Sequence, residues 1–554
     1  MRFIRRFSYY RRICSACIIC GLFSHFAVSE ESFTQPGCTP QVSHQHPQKV
    51  GEIVINSQDI FDESEQETGF IHRLANRLHI TTEADVIAER LPFKEGQDVT
   101  PEQLAEAERI IRREMYIRDA RVTYIDTCNI DDMARIQVET WDNWSLLPSL
   151  SFGRKGGKNR FEIGFKEDNL LGRGIHTSVE YKSDDQRSGY RFVVRAPVSF
   201  IRHSNLVLDV EDNDDGSIVQ LQFDKPFYQL ASERRYLANY LNFKRDDEIF
   251  QNGATRSVFR HNGHQYDLAY GFLLQRKDDA LHRLTVGVTD QLDKFSVPAA
   301  PIENQLTPRL PDDRQFVYPW VEYQFLQNDF KVLQDIYLTN QNEDINLGWA
   351  GRVKIGYETH SPASSLGLHL QSSVSRGFLW GVNLLLLGAE VSSTMGVLDE
   401  DYLTGSLHGE YFNRLNSKFA FYTSGLLSTS SHPFADLPVT LGGESGVRGF
   451  PLQYQHGNNR AMTSVELRYY PQINIYRVLD MGMVAFFDAG KAWAGESSRD
   501  NEYSGVLAST GLGARFYSNR SSHRNVIHVD MAFPLSNGDN VDSWQWRLQV
   551  KQSF

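Results

Sequence analysis

Beyond Ser29 the chain never offers a run of about 18 apolar residues, so no helix is expected to cross a membrane. It also lacks an excess of positive charge. Lys and Arg number 57 against 69 Asp and Glu, a net −12, and Arg2, Arg5, Arg6, Arg11 and Arg12 are spent at the N-terminus. That argues against a nucleic-acid partner, which would want a basic face. The signatures of enzyme chemistry are missing too. No metal cluster or phosphate-cradling loop is present, and "GESG" (443–446) is not a nucleophile elbow, because Val447 stands where the last glycine belongs. His44 and His46 have no third ligand at useful spacing and read as part of a solvated tail. No catalytic residue, metal or cofactor is therefore expected. Cysteine is scarce: of five, Cys14, Cys17 and Cys20 lie in the first 20 residues, leaving Cys38 and Cys128.

The N-terminus joins a basic stretch to an apolar run from Ile13 to about Val28, followed by "AVS" at 27–29. Small residues at that spacing predict a secretory signal peptide over 1–29, the alternative being a retained anchor, for which the run is short. Ile19 is too bulky before Cys20 for a lipoprotein signal. An exported chain with two remaining cysteines predicts a Cys38–Cys128 disulfide, two free thiols being the alternative. Residues 30–48 are polar, carry Pro36, Pro40 and Pro47, and read as a flexible lead-in.

Residues 49–142 predict a small α/β domain. "VGEIVINSQDIFD" (50–62) reads as a strand, and "EADVIAERL" (83–91) and "TPEQLAEAERIIRREM" (100–115) as helices. The second has Thr100 as N-cap, Pro101 at the first helical position and Gln103 to close a capping box. "YIRDARVTYID" (116–126) and "ARIQVETWD" (134–142) are two further strands. This β-α-α-β-β order, with "FKEGQDVT" before the second helix, resembles a POTRA domain, the periplasmic module placed ahead of certain outer-membrane barrels. The helical insert "GFIHRLANRLHI" (69–80) departs from the shortest form of that pattern.

From residue 143 to 554 the chain alternates apolar and polar residues, as in "FEIGFK" (161–166), "IHTSVEYK" (175–182), "VQLQFD" (219–224) and "LGLHLQ" (366–371). Many segments run about ten residues, the span of a tilted membrane strand, and turn signals such as "KGGK" (155–158) and "NDDG" (213–216) join them. No helices are available to cover such a sheet, whereas 34 Phe, 24 Tyr and 8 Trp suit interfacial girdles. The expectation is an all-β transmembrane barrel. In the last strand Trp544, Trp546, Leu548 and Val550 share a face that Phe554 completes. This resembles the signal by which outer-membrane barrels are recognised for assembly.

One loop stands apart. "GGESGVRGF" (442–450) packs Gly442, Gly443, Gly446 and Gly449 around Val447, Arg448 and Phe450. "VRGF", together with "NLLGRG" (169–174), "VELRYYP" (465–471) and "FFDAG" (486–490) in this order, resembles the BamA-type superfamily, which includes BamA, TamA and the two-partner secretion transporters. The resemblance implies a sixteen-stranded barrel whose loop, here about 431–458, folds back into the lumen. It also implies that the loop's arginine meets acids on the wall. Alternation independently turns Glu466 and Asp488 inward, and an arginine taken inside needs such partners. Candidate strands exceed sixteen, so parts of 226–262 and 292–345 are assigned to extracellular loops. The function implied is insertion or translocation of an unfolded or extended polypeptide client at the outer membrane. The partners implied are outer-membrane lipid and the barrel assembly machinery for the chain's own insertion. The family's assembly factors carry several POTRA modules and its two-partner transporters usually two, whereas this chain has room for one. A passive channel or surface antigen without a client is the rival reading.

Overall fold

The computed structural model describes residues 47–554 except 62–69, 127–132, 156, 185, 278, 299–309, 340, 361–365, 444–445, 477, 519, 523–525 and 552–554. The signal peptide, Cys38, Cys128 and Phe554 fall outside the described residues.

The N-terminal domain contains β1 (Gln48–Gln58), α1 (Phe70–Leu78), α2 (Ala84–Arg90), β2 (Asp98–Val99), α3 (Pro101–Arg112), β3 (Ile117–Asp126) and β4 (Ala134–Asp142). The sheet order is β2-β1-β4-β3, with β1 and β4 parallel and β3 an edge strand. The Thr100 side chain accepts the Gln103 N–H (3.3 Å), and the Thr100 N–H donates to Gln103 Oε1 (2.9 Å), so the capping box read from sequence starts α3. Leu104, Ala107 and Ile111 then bury against Val50, Val122, Ile136 and Val138. The charged residues Glu106, Arg109 and Arg112 of the same helix are buried as well, because a second surface packs on them.

That surface is a closed antiparallel barrel. Its strands are β5 (Leu146–Lys155), β6 (Lys158–Glu167), β7 (His176–Ser183), β8 (Ser188–Pro197), β9 (Asn205–Asn213), β10 (Gly216–Lys225) and β11 (Arg234–Gln251). There follow β12 (Ala254–Lys277), β13 (Ala280–Ser296), β14 (Arg314–Gln327), β15 (Ala350–Tyr357), β16 (Leu368–Trp380), β17 (Asn383–Met395) and β18 (Tyr402–Arg414). The last are β19 (Phe419–Ser431), β20 (Asn459–Tyr469, extended by Asn474–Ile475), β21 (Leu479–Trp493), β22 (Leu507–Ser518), β23 (Val526–Pro534) and β24 (Gln545–Lys551). Among the described residues no helix is long and apolar enough to cross a membrane. The outward face is instead apolar and bare, with Phe165 67 % and Leu512 65 % exposed, as lipid contact requires.

Among the described residues the barrel has 20 strands, not the sixteen expected. Alternation alone offers more than sixteen candidates; the resemblance sets the number at sixteen and places in extracellular loops parts of 226–262 and 292–345, where β11 and β14 run. Residues 234–251 and 254–277 are two long paired strands, and 280–296 and 314–327 are two more. Their inward residues are polar and bond one another: Asp267 accepts from Asn239 Nδ2 (3.2 Å) and Thr289 Oγ1 (2.7 Å). A wet interior permits charge on a strand.

Two connections exceed 20 residues. Residues 328–349, between β14 and β15, lie at the end of the barrel that carries the α/β domain, the near end. They form a hairpin of Phe330–Gln334 paired with Asn342–Asn346. Residues 432–458, between β19 and β20 at the far end, hold the glycine-rich loop, closed at its base by pairing of Val439–Leu441 with Gln455–Gly457. The closing seam of the barrel is slight. Among the described residues β24 pairs with β5 at Leu548↔Arg154 alone, while β5 pairs with β6 along its whole length.

Candidate functional site

The site grows from the register of two strands. On β20, Ser464, Glu466 and Arg468 face inward and are buried, while Leu467 between them faces out. On β21, Val484, Phe486 and Asp488 do the same. Pairing sets Ser464 opposite Asp488 and Glu466 opposite Phe486, so one patch of wall offers two carboxylates, a hydroxyl and a ring.

The loop delivers Arg448 to that patch. Gly442 lies so close to the return strand that a Cβ on it would meet the Pro451 carbonyl at 2.4 Å. Gly449 has φ +89°, a conformation only glycine adopts freely. These two positions let the chain reverse twice within ten residues. Val447 and Phe450 then bury with Leu441, Tyr454, Ala492 and Leu507, anchoring the loop on either side of the arginine. Gly443 continues the reversal through its N–H to Pro451 O (2.9 Å), and Gly446 abuts Met462.

Arg448 Nε donates to Asp488 Oδ2 (2.6 Å), Nη2 to Asp488 Oδ1 (2.7 Å) and to Ser464 Oγ (3.0 Å), and Nη1 to Glu466 Oε1 (3.1 Å). Its backbone N–H also donates to Asp488 Oδ2 (3.1 Å), and the guanidinium lies 3.5 Å over the Phe486 ring. Burial by itself draws the guanidinium pKa down. Asp488 and Glu466 outweigh it, the net direction is upward, and Arg448 stays charged.

Sequence reasoning missed the continuation of this network. Arg468 Nε donates to Glu466 Oε2 (3.1 Å), and its Nη1 donates to the Ile336 carbonyl (3.1 Å) of the near-end connection. Arg468 sits two residues beyond Glu466 on the same face, so the alternation that found the acid could have found it. It also missed the far-end roof. The β11–β12 turn folds over the loop: Phe250 N–H donates to Gln453 Oε1 (3.0 Å), Asn252 N–H to Tyr454 O (3.1 Å), and His456 Nε2 bonds Phe250 O (2.6 Å). No local signal joins residues 203 positions apart. On β24 the structure turns Trp546 and Val550 to the outer surface, Leu548 lying between them on the same face. Trp546 stacks on Phe152 of β5 at 6.0 Å.

The site is thus an internally looped arginine bonded by two wall carboxylates in a closed antiparallel barrel. Residues 381–554 match the family model of the Omp85 superfamily domain. No curated protein sequence matches the chain. Among solved structures it is similar to BamA from Haemophilus ducreyi lacking POTRA domains 1–3, at 14 % identity and TM-score 0.41, covering 91 % of this chain and 84 % of that one. It is similar also to CdiB from Acinetobacter baumannii (14 %, TM-score 0.45, 91 % and 74 % covered) and to CdiB from Escherichia coli (14 %, TM-score 0.39, 93 % and 92 % covered).

Proposed function

We infer that this chain is a non-enzymatic protein of the bacterial outer membrane that inserts or translocates a polypeptide client. The observation that carries the reading is Arg448 locked onto Asp488 and Glu466 within the Omp85 superfamily domain. The β12-side roof and the inserted loop cover the far mouth, and the α/β domain docks under the near one. That domain touches turns around the ring: Arg173 pairs with Asp85 (2.7 Å), Arg202 donates to Ala88 O (2.9 Å) and Arg520 to Ile60 O (2.9 Å). A barrel shut at both ends argues against a passive pore.

The α/β domain is the POTRA-like module and stands in the periplasm, where the edge strand β3 offers main-chain groups to an extended client. The seam between β24 and β5, paired among the described residues at Leu548↔Arg154, is where the wall opens to lipid. The chain's own outward strand β24, ending at Phe554, is what the barrel assembly machinery reads. Site-specific photo-cross-linkers in β3 and along the seam, in native cell envelopes, test the reading. Adducts to an unfolded polypeptide at both positions are expected, and their absence from both would overturn it.

A further inference from the structure

The near-end hairpin crosses the lumen. Leu333, Ile336, Tyr337, Ile345 and Leu347 pack on the inward residues Leu384 and Phe412 of β17 and β18. Leu338 buries instead against Tyr517 and Val526 of β22 and β23. Tyr337 OH donates to Glu410 (2.7 Å) on the wall, Arg414 pairs with Asp335 (3.0 Å), and Arg468 holds the Ile336 carbonyl from β20. A twenty-two-residue connection between adjacent strands has no need of this path, since two to five residues close a hairpin.

Its outer strand is held by the α/β domain. Arg112 of α3 donates from Nη2 to Asp344 Oδ1 (3.0 Å) and from Nε to Asp344 Oδ2 (3.2 Å). This is a two-pronged contact that only an arginine makes. Arg109 lies 4.0 Å over the Phe330 ring, and Asn342 Nδ2 reaches Asp119 Oδ2 (3.4 Å) on β3. The same Arg112 sends Nη1 to the Ala120 carbonyl (3.2 Å) on β3, and the Val122 N–H donates to Glu108 Oε1 (2.8 Å) of α3. Side chains of α3, rather than a neighbouring strand, thus serve the edge of β3.

We propose that the 328–349 hairpin is an autoinhibitory plug latched by Arg112, and that a polypeptide strand adding to the β3 edge releases it. An incoming strand needs the Ala120 and Val122 main-chain groups, so it displaces Arg112 and Glu108. Moving Arg112 breaks the fork on Asp344, and the plug loses its hold on the domain. The coupling rests on the client reading above; the plug itself does not.

Two experiments on the full chain in liposomes test this. Asp344→Asn leaves α3 and β3 chemically intact. Loss of one charge-assisted contact should raise hydrogen exchange in 330–346 and ion flux by about tenfold, with exchange in α3 unchanged. Asp344→Arg combined with Arg112→Glu should bring flux back toward the native level. Native flux and exchange in Asp344→Asn would overturn the latch. For the release step the probe is a synthetic peptide of the β4 sequence "ARIQVETWD", the strand β3 already accepts, with a scrambled control. Protection of β3 amides accompanied by faster exchange in 330–346 supports the coupling. Protection without it, or no protection at any peptide concentration, overturns it. A failure of client cross-linking with both results positive would count against the transport reading and leave the plug standing.

Discussion

Asp488 holds Arg448 by three hydrogen bonds, one to its main-chain N–H and two to its guanidinium. The carboxylate is fully buried, at 0 % exposure. The loop is thus fastened by side chain and backbone together, and the fastening cannot be loosened by a rotamer change alone.

Arg448→Ala should leave a folded barrel with an undocked loop. Removing one partner of a buried pair costs about 3–5 kcal/mol, an upper figure where water can enter. Expected outcomes are raised single-channel conductance, impaired client transport, and extracellular labelling of a cysteine placed in the loop. Arg448→Lys should restore little, because an ammonium cannot fork onto Asp488 while reaching Glu466.

Glu466→Gln together with Asp488→Asn should reproduce the Arg448→Ala conductance, and the three changes combined should add little to it. Groups in one network are non-additive. Independent, additive effects on conductance would show that the loop is held by something else.

Leu548→Arg should lower the yield of the heat-modifiable folded band. A lipid-facing arginine costs about 2–4 kcal/mol at the bilayer midplane and less toward the interfaces. Gln545→Lys, on the lumen side of the same strand, should fold normally. Deletion of Phe554 should likewise trap unfolded chain in the periplasm, read by fractionation.

Glu343 of the plug predicts a pH dependence. Burial raises its pKa from the ordinary 4.5 to about 7, against the N–H groups of Ile336 and Tyr337, which favour the charged form, and with repulsion from Asp335. The docked plug therefore binds a proton that the undocked one releases. Docking is strongest below pH 4.5 and weakens as pH rises toward 7. Ion flux through liposomes should be higher at pH 8 than at pH 5.5, and Glu343→Gln should flatten the difference.

Mass spectrometry after alkylation without reductant decides Cys38 and Cys128: neither should be labelled. The disulfide would close a loop of about 90 residues, for which chain entropy allows roughly 4 kcal/mol.

Much of this was legible in the residues because it is local. Thr100, Pro101 and Gln103 specify the start of α3 within four positions, and period-two alternation alone turns Glu466 and Asp488 to one side of a strand. The glycines of 442–449 announce a reversal for the same reason. The strands themselves were legible, since alternation offers more than sixteen candidates; the resemblance to a sixteen-stranded family, and not the residues, placed parts of 226–262 and 292–345 in loops, where β11 and β14 run as paired strands. Tertiary structure alone decided the plug. Arg112 and Asp344 stand 232 positions apart, and neither carries any local sign of the other. Only barrel closure, which brings the near-end turns beneath one domain, sets the two charges face to face.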